Sequence, residues 1–369
     1  QGGRPGAAFA RAGARPHCGG LRQQGGTRTA RRALDLGAAG GEAAEDLQRL
    51  GEQLGGLGTG DTAWMADPVV SCVGWAFLLT SAVILRVATC MEDGDTPKSF
   101  LQGLESRVED AAAGLVGGLA TSVRPVVCLG DSLTRGNLSA DWVGSLREQL
   151  MGCPLSQPAA VLNAGVNMQC IENVKQRISE VIACKPSHVT VLVGTNDLKA
   201  ELSPVEGLMY RVFGKLPEVP SLERYESSLR EIRDQLGAAG IEVALVSPPV
   251  LGEDIGCRAN QRAAEFAAAV RRVAAEGQCT YLPLFEQTSA QLMAQGGGKA
   301  YCGLNFFMWC CMLAFDIHVF RRDLVEVQRE RQLRVTLDLV HLGPQAATEL
   351  AAMAATFVRG SGPLASVGA

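Results

Sequence analysis

The stretch VVCLGDSL at residues 126–133 decides the fold. Its first four residues form a short apolar run, which is typical of a buried strand. Gly130 permits a tight exit from that strand, and Asp131 and Ser132 follow at the turn before the next helical segment. A strand that ends in a polar turn and leads into a helix is the repeating unit of a parallel sheet with helices on its faces.

The same alternation of strand and helix continues toward the C-terminus. Further apolar runs predict strands at 160–162, 189–193, 241–246 and 280–284. Amphipathic segments predict helices at 141–150, 171–184, 222–236, 258–275 and 344–358. Near-continuous apolar strands that alternate with amphipathic helices indicate an α/β fold, in which both faces of a parallel sheet are covered. In such sheets, ligand sites lie at the carboxyl ends of the strands.

Four polar blocks supply the groups of an acyl-transfer site. They are GDSL at 130–133, NAG at 163–165, GTND at 194–197 and DLVH at 338–341. The first three come at the ends of the first three predicted strands, so we expect them to meet at one edge of the sheet. A serine beside a histidine can act as a nucleophile, an aspartate can orient the histidine, and N–H groups can hold an oxyanion.

In this order, the four blocks resemble those of the SGNH (GDSL) hydrolases, which are serine esterases and lipases. The resemblance implies that Ser132 is the nucleophile, His341 its base and Asp338 the residue that orients His341. Ser132, Gly165 and Asn196 are then the donors of the oxyanion hole.

The resemblance also carries expectations about fold and substrate. It implies a flavodoxin-like three-layer sandwich with a five-stranded parallel sheet over residues 122–360. The expected reaction is the hydrolysis of a small-molecule or lipid ester through an acyl-enzyme, without cofactor or metal. Where the family often has a second glycine in the loop after the second strand, residues 167–169 are NMQ. The shape of that loop therefore departs from the family pattern.

Other interpretations of the same residues stay open. Acyl transfer to an alcohol would use the same triad, and a membrane-anchored binding protein could be built on an inactive hydrolase scaffold. A second Asp-His pair, Asp316 and His318, competes with the pair at 338–341 but is not followed by a proline that opens a helix. No G-x-S-x-G motif occurs in the sequence, which argues against an α/β-hydrolase.

Composition excludes two classes of partner. The chain of 369 residues has a formal net charge of −4, so it has no basic field that would hold a nucleic acid. It has twelve cysteines and four histidines, but no C-x-x-C pair, so a zinc site is not expected. Most of the thiols are interpreted as reduced residues of the core, although disulfides stay open if the domain is lumenal.

The N-terminal third does not match the catalytic pattern. Residues 1–66 are of low complexity and are expected to be disordered, and the first 33 hold seven arginines and no acidic residue, as transit peptides do. An apolar helix is predicted at 67–90, where the 17 residues 69–85 carry no charge. We interpret it as a single membrane anchor, with a buried helix as the alternative. A helical connector is expected at 91–121. Membrane association is thus predicted, in a compartment that the sequence does not identify.

A second apolar segment lies just before the histidine block. Residues 301–322 are expected to form a helical insertion, in which 304–315 is apolar except for Asn305. This stretch is too short to span a membrane. It is either part of the core or a lid that contacts the acyl group, and the sequence favours neither.

Overall fold

The computed structural model describes residues 124–151 and 160–360 of the chain. The leader (1–66), the apolar segment (67–90) and the connector (91–121) lie outside these residues, so the membrane anchor, the transit peptide and the predicted localisation stay predictions. Among the described residues, no helix is both long and apolar enough to cross a membrane.

Five parallel strands form one sheet in the described part of the chain, in the order β2-β1-β3-β4-β5. They are β1 (Val126–Gly130), β2 (Val161–Gly165), β3 (His188–Leu192), β4 (Glu242–Val246) and β5 (Thr280–Leu282). The predicted α/β fold with a five-stranded parallel sheet is confirmed. The register places Gly130, Gly165 and Leu192 side by side at the carboxyl ends of β1, β2 and β3. The first three polar blocks therefore meet at one edge of the sheet.

Twelve helices accompany the strands within the described residues. They are α1 (Ser132–Arg135), α2 (Trp142–Met151), α3 (Ile171–Gln176), α4 (Ile178–Ala183), α5 (Thr195–Leu202), α6 (Pro204–Phe213), α7 (Leu222–Ala238), α8 (Arg258–Glu276), α9 (Leu284–Gln295), α10 (Gly303–His318), α11 (Leu324–Glu330) and α12 (Pro344–Val358). The helix predicted as one element at 171–184 is two, because the chain leaves helical geometry at Arg177. The sequence prediction missed α1, α5, α6, α9 and α11, of which α1 and α5 begin within the polar blocks.

The strands bury apolar side chains on both faces, as a sheet covered by helices on each side requires. Along β1, alternate residues enter different cores, because successive side chains of a strand point to opposite faces. Val127 and Leu129 join the core formed with α3, α4, α7 and α8. Val126 and Cys128 join the core formed with α2, α9 and α12. The sheet is thus the middle layer of a three-layer sandwich.

The last helix fixes where the chain approaches the sheet edge. It begins at Pro344, as predicted, and packs against α2. Just before it, Leu342 N–H donates to Ser139 Oγ at 3.0 Å, and the Leu342 carbonyl accepts from Ala140 N–H at 2.9 Å. These bonds join the segment that follows α1 to the segment that carries the DLVH block. Two parts of the chain that are distant in sequence are therefore held side by side.

Candidate active site

Ser132 is the first residue of α1, directly past the end of β1. Asp131 caps this short helix, since its Oδ1 accepts from Leu133 N–H at 2.9 Å. Gly130 allows the sharp turn, because a Cβ there would overlap Thr134 and the carbonyl of Leu192. The Ser132 N–H belongs to the first turn of the helix, where backbone N–H groups have no partner within the helix. Its hydroxyl and its N–H are thus both available at the sheet edge.

Asp338, His341 and Ser132 form a continuous hydrogen-bonded relay. Asp338 Oδ2 lies 2.7 Å from His341 Nδ1, and His341 Nε2 lies 3.1 Å from Ser132 Oγ. Asp338 Oδ1 also accepts from the backbone N–H groups of Val340 and His341, at 3.1 and 2.8 Å. Because the carboxylate accepts at Nδ1, the imidazole is oriented with Nε2 toward the serine hydroxyl.

The three side chains of the relay are largely buried. Ser132, His341 and Asp338 are 9%, 3% and 0% exposed. Burial by itself would raise the pKa of Asp338, but the charge and hydrogen bonds of His341, with the N–H of Val340, hold that pKa below its usual value. The carboxylate is therefore ionised when it faces the imidazole.

The loop that carries Asp338 and His341 is held by a buried glutamate that the sequence analysis missed. Glu253, which follows β4, is 0% exposed. Its carboxylate accepts from the backbone N–H groups of Arg334, Val335 and Thr336, at 2.9 to 3.0 Å, and from the Thr336 hydroxyl at 2.9 Å. Four donors converge on one side chain, so Glu253 fixes the backbone leading into Asp338. Its position after the fourth strand was the one available signal.

The loop also contains a residue in an unfavourable backbone conformation. Leu339 has a φ of 78°, in the left-handed region that β- and γ-branched side chains rarely adopt. Its carbonyl accepts from Gly252 N–H at 2.7 Å, and Leu337 N–H donates to the His341 carbonyl at 2.8 Å. Arg331 Nη1 donates to the Leu337 carbonyl at 2.8 Å. This turn between Asp338 and His341 is thus imposed by bonds from surrounding segments.

Gly165 lies at the end of β2, beside the segment that follows Ser132. A Cβ at this position would overlap the backbone of Thr134 and Arg135, so only glycine fits. The Gly165 N–H donates to Asn163 Oδ1 at 2.9 Å. Donation to an oxyanion would therefore require this bond to be shared or to lengthen. The donor role that the sequence assigns to Gly165 stays a prediction.

Asn196 lies in the first turn of α5 and is 5% exposed. Its Nδ2 donates to the Gln169 carbonyl at 2.9 Å, and its Oδ1 accepts from the Tyr210 hydroxyl at 2.8 Å. The predicted departure at 167–169 is thus part of the site, because this loop supplies the carbonyl that holds the Asn196 amide. Met168 in the same loop has a φ of 62°, in the left-handed region that favours glycine.

Two further acidic residues are buried at the sheet edge. Asp197 accepts from Ile171 N–H with both oxygens, at 3.2 and 3.1 Å, and so ties α5 to the start of α3. Burial, with a contribution from the charge of Asp131, raises the pKa of Asp197 to about 8. Burial likewise raises the pKa of Asp131 to about 6. Unlike Asp338, these carboxyl groups have few donors to hold them in the charged form.

The apolar helix α10 forms a wall of the site. The ring of Phe306 lies 6.1 Å from that of His341, and Leu313 is 0% exposed in a small cluster with Val327 and Leu337. The opposite face of α10 is exposed at Met308, Met312 and Phe315. The segment predicted at 304–315 is thus a helix with an inner face against the site and an outer, exposed apolar face.

The competing Asp-His pair does not form a second relay. Asp316 pairs with Arg331 at 2.9 Å and with Arg322 at 3.5 Å. In the part of the chain that the structure describes, the buried Nε2 of His318 has no hydrogen-bond partner. Asp316 therefore anchors the arginine that supports the loop at 338–341.

Among the described residues, one group of side chains has metal-ligand chemistry. Ligand atoms of Cys310, Asp338 and His341 lie within 4.8 Å of one another. A thiol must lose its proton to hold a metal, and burial raises the pKa of Cys310 well above its usual value. The imidazole and the carboxylate already pair with each other, so this cluster is a poor fit for a resident metal. Cys310 itself is not part of a disulfide.

The family comparison identifies the domain. Residues 128–306 match the model of the GDSL-like lipase/acylhydrolase family. These residues form a GDSL-like lipase/acylhydrolase domain, and the protein is a carboxylic ester hydrolase. The matched residues include Ser132, Gly165 and Asn196 and end before Asp338 and His341. The assignment of the base and its partner therefore depends on the distances described above. No curated protein matches the chain.

Three solved structures are similar to this chain over most of their own length. Axe2, an acetylxylan esterase from Geobacillus stearothermophilus, is 15% identical, with a TM-score of 0.46 over 64% of this chain and 94% of its own. LAE5, an α/β hydrolase enzyme from the metagenome of Lake Arreo in Spain, is 18% identical, with a TM-score of 0.44 over 63% and 94%. The acetyl xylan esterase AlAXEase is 15% identical, with a TM-score of 0.45 over 62% and 97%. With TM-scores below 0.5, we base no argument on these likenesses.

Proposed function

We propose that this enzyme hydrolyses carboxylic esters through a covalent acyl-serine intermediate, with Ser132 as nucleophile, His341 as base and Asp338 as its orienting partner. The observation that carries the proposal is the relay from Asp338 Oδ2 to His341 Nδ1 and from His341 Nε2 to Ser132 Oγ, at 2.7 and 3.1 Å. Both distances are within the reach that proton transfer between such groups requires.

The first half of the reaction acylates the serine. His341 Nε2 takes the hydroxyl proton while Ser132 Oγ attacks the carbonyl carbon, and the carbonyl oxygen becomes an oxyanion. The imidazolium then gives the proton to the departing alkoxide, the ester C–O bond breaks and the alcohol leaves. Asp338 stabilises the imidazolium throughout, because its carboxylate is ionised and accepts from Nδ1.

The second half returns the enzyme to its starting state. His341 removes a proton from water, the resulting hydroxide attacks the acyl carbon, and a second oxyanion forms. When it collapses, Ser132 Oγ leaves and recovers the proton from the imidazolium, and the carboxylic acid is released. In both halves, the oxyanion would be held by the Ser132 N–H, by the Asn196 amide and by Gly165 if its N–H is shared.

The proposal is tested by covalent labelling and by turnover of p-nitrophenyl acetate. A fluorophosphonate should label Ser132 alone, and Ser132→Ala and His341→Ala should each lower turnover by at least about 10⁴-fold with an unchanged circular dichroism spectrum. His318→Ala is the matched control and should keep wild-type turnover, since its ring has no part in the relay. Labelling of another serine, or near wild-type turnover of Ser132→Ala, would contradict the proposal.

A further inference from the structure

A chain of buried polar groups leads away from the Asn196 side chain. Lys199 Nζ lies 2.9 Å from the Tyr210 hydroxyl, which lies 2.8 Å from Asn196 Oδ1. Lys199 and Tyr210 are 2% and 3% exposed. The family blocks do not include either residue, and the sequence analysis assigned them no role.

The order of donors along this chain determines how the amide is turned. An ammonium group can only donate, so the Tyr210 hydroxyl accepts from Lys199 and has a single hydrogen to give. That hydrogen must go to an acceptor, so the amide oxygen of Asn196 faces Tyr210 and its nitrogen faces the opposite side. There, one hydrogen of Nδ2 is donated to the Gln169 carbonyl at 2.9 Å. The second hydrogen is the one available to an oxyanion.

We infer that Lys199 and Tyr210 are positioning residues, which hold the Asn196 amide with its nitrogen toward the oxyanion. The inference rests on the proposed function, because it assigns a purpose to a group of that same site. Without Lys199, the Tyr210 hydroxyl could accept from the amide nitrogen as readily as it donates to the oxygen. The amide could then adopt either orientation, and in one of them no N–H would meet the oxyanion.

The surroundings of Lys199 are those of a buried cation with specific partners. Its ammonium lies 3.7 Å from Glu206 Oε1 and 3.7 Å from the centre of the Phe306 ring. Tyr301 donates to the same glutamate at 2.7 Å. Burial lowers the pKa of Lys199, and the charge of Glu206 opposes that shift. Burying an ammonium costs free energy unless it is paired, so a lysine that only filled space would be replaced by an apolar residue at little cost.

The decisive variant is Tyr210→Phe, which removes one oxygen atom and leaves the ring. We expect kcat for p-nitrophenyl acetate to fall about tenfold with KM unchanged, less than the ~10²–10³-fold loss that removal of an oxyanion donor causes. Tyr225→Phe is the matched control. Its hydroxyl donates to the Val193 carbonyl at 3.0 Å and its side chain is 1% exposed, so the variant loses an equally buried bond, but one that does not involve the Asn196 side chain.

A double-mutant cycle separates positioning from a structural contribution. In an Asn196→Ala background, Tyr210→Phe should change kcat by less than about twofold, because there is no amide left to orient. Lys199→Met should lower kcat in the same way and also lose its effect in that background. If Lys199→Met does not fold, the Tyr210→Phe cycle alone decides. Three results would overturn the inference. They are additive effects in the cycle, an effect on KM instead of kcat, and a fall in kcat no larger than that of Tyr225→Phe.

The outcome of Ser132→Ala distinguishes this inference from the proposed function. If Ser132→Ala stays active, the proposed mechanism fails, and with it the site to which the inference refers. If Ser132→Ala is inactive and the effects of Tyr210→Phe and Asn196→Ala add, the proposed function stands. Only the positioning role of Lys199 and Tyr210 is then wrong.

Discussion

Two sides of the site are built by different means. We call the ends of β1, β2 and β3, with Ser132, Gly165 and Asn196, the sheet side, and residues 331–343 the loop side. The sheet side is aligned by parallel strand pairing, which places Gly130 beside Gly165 and Leu192. The loop side has one isolated bridge, Thr336 to Leu342, and is held mainly by long-range side-chain bonds.

The two sides differ in the interactions that fix the positions of their site residues. On the sheet side, backbone pairing between short buried strands sets the positions, and side chains refine them. On the loop side, the backbone is held by hydrogen bonds to two ionisable side chains. Glu253 accepts from the N–H groups of 334–336, and Arg331 donates to the Leu337 carbonyl. We therefore expect substitutions of single side chains to disturb the loop side more than the sheet side.

The largest expected effect is on the loop side, at Asp338. In Asp338→Asn, the amide can accept from the backbone N–H groups but cannot stabilise an imidazolium at Nδ1, so the histidine loses its oriented tautomer. We expect kcat to fall by about 10⁴-fold while the protein stays folded. Turnover of p-nitrophenyl acetate measures this loss, with circular dichroism as the control for folding. A loss of tenfold or less would mean that another group orients His341.

The second effect is on stability, at Glu253. Glu253→Ala leaves three backbone N–H groups without their acceptor, those of Val335 and Thr336 buried and that of Arg334 part-buried, and we expect it to lower the free energy of unfolding by about 3 kcal/mol. Urea denaturation of the wild type and the variant measures the change. The exposed Glu148 provides the control, since Glu148→Ala should change the same quantity by less than about 0.5 kcal/mol. Equal changes in the two variants would show that Glu253 does not support the loop side.

On the sheet side, the contribution of Asp197 to stability should change with pH in the opposite direction to that of Asp338. With its pKa raised from 3.8 to about 8, Asp197 stays protonated in the folded protein while the unfolded chain ionises. Its contribution to stability is therefore present below pH 4 and is lost as the pH rises toward 8, by up to about 1.4 kcal/mol per pH unit.

Asp197→Asn tests this sign, because an amide does not ionise. The free energy of unfolding of the variant should fall less than that of the wild type between pH 5 and pH 8, measured by urea denaturation. Asp338→Asn is the contrasting control. Because the pKa of Asp338 is lowered in the folded protein, Asp338 contributes stability at pH values above the pKa of an aspartate in the unfolded chain. That contribution is lost as the pH falls through the pKa of the folded state. Parallel pH profiles for the wild type and Asp197→Asn would contradict the prediction.

The smallest effect concerns the wall beside the loop side. If Phe306 lines the acyl-binding surface, each methylene that it covers contributes about 0.8 kcal/mol, or roughly a three- to fourfold gain in kcat/KM. Phe306→Ala should then weaken turnover of p-nitrophenyl octanoate more than that of the acetate. Trp309→Ala is the comparison, since its ring faces Lys299 and Arg331. Equal losses on both esters, with a lower melting temperature, would make Phe306 a core residue.

The two sides also differ in how far the sequence predicted them. The sheet side could be predicted because apolar runs and the residues that follow them are local sequence patterns. Parallel pairing then brings the ends of the strands together. The pair of Asp338 and His341 was predicted because the DLVH block resembles the family pattern and is followed by Pro344. Glu253 was not, because a bond between a side chain and backbone 81 to 83 residues away leaves no local pattern.

Other features depended on side-chain geometry that no pattern encodes. The bond between Gly165 N–H and Asn163 Oδ1 depends on one rotamer, and the break between α3 and α4 coincides with Arg177, which reaches Gln169 and the Gly130 carbonyl. Lys199 was overlooked because a lysine in a helix is ordinarily exposed, and its burial becomes evident only when α6 and α10 are placed around it.

The separation of the nucleophile from its base has a consequence for synthesis on the ribosome. Ser132 and His341 lie 209 residues apart, and all five strands of the described sheet are made before the base. Domains tend to form from the N-terminus as the chain emerges. A nascent chain would therefore carry its serine and much of its sheet for most of translation without the means to ionise that serine. Under the proposed mechanism, unfinished chains that end before His341 are chemically inert, so the serine becomes reactive only after the DLVH block has been made.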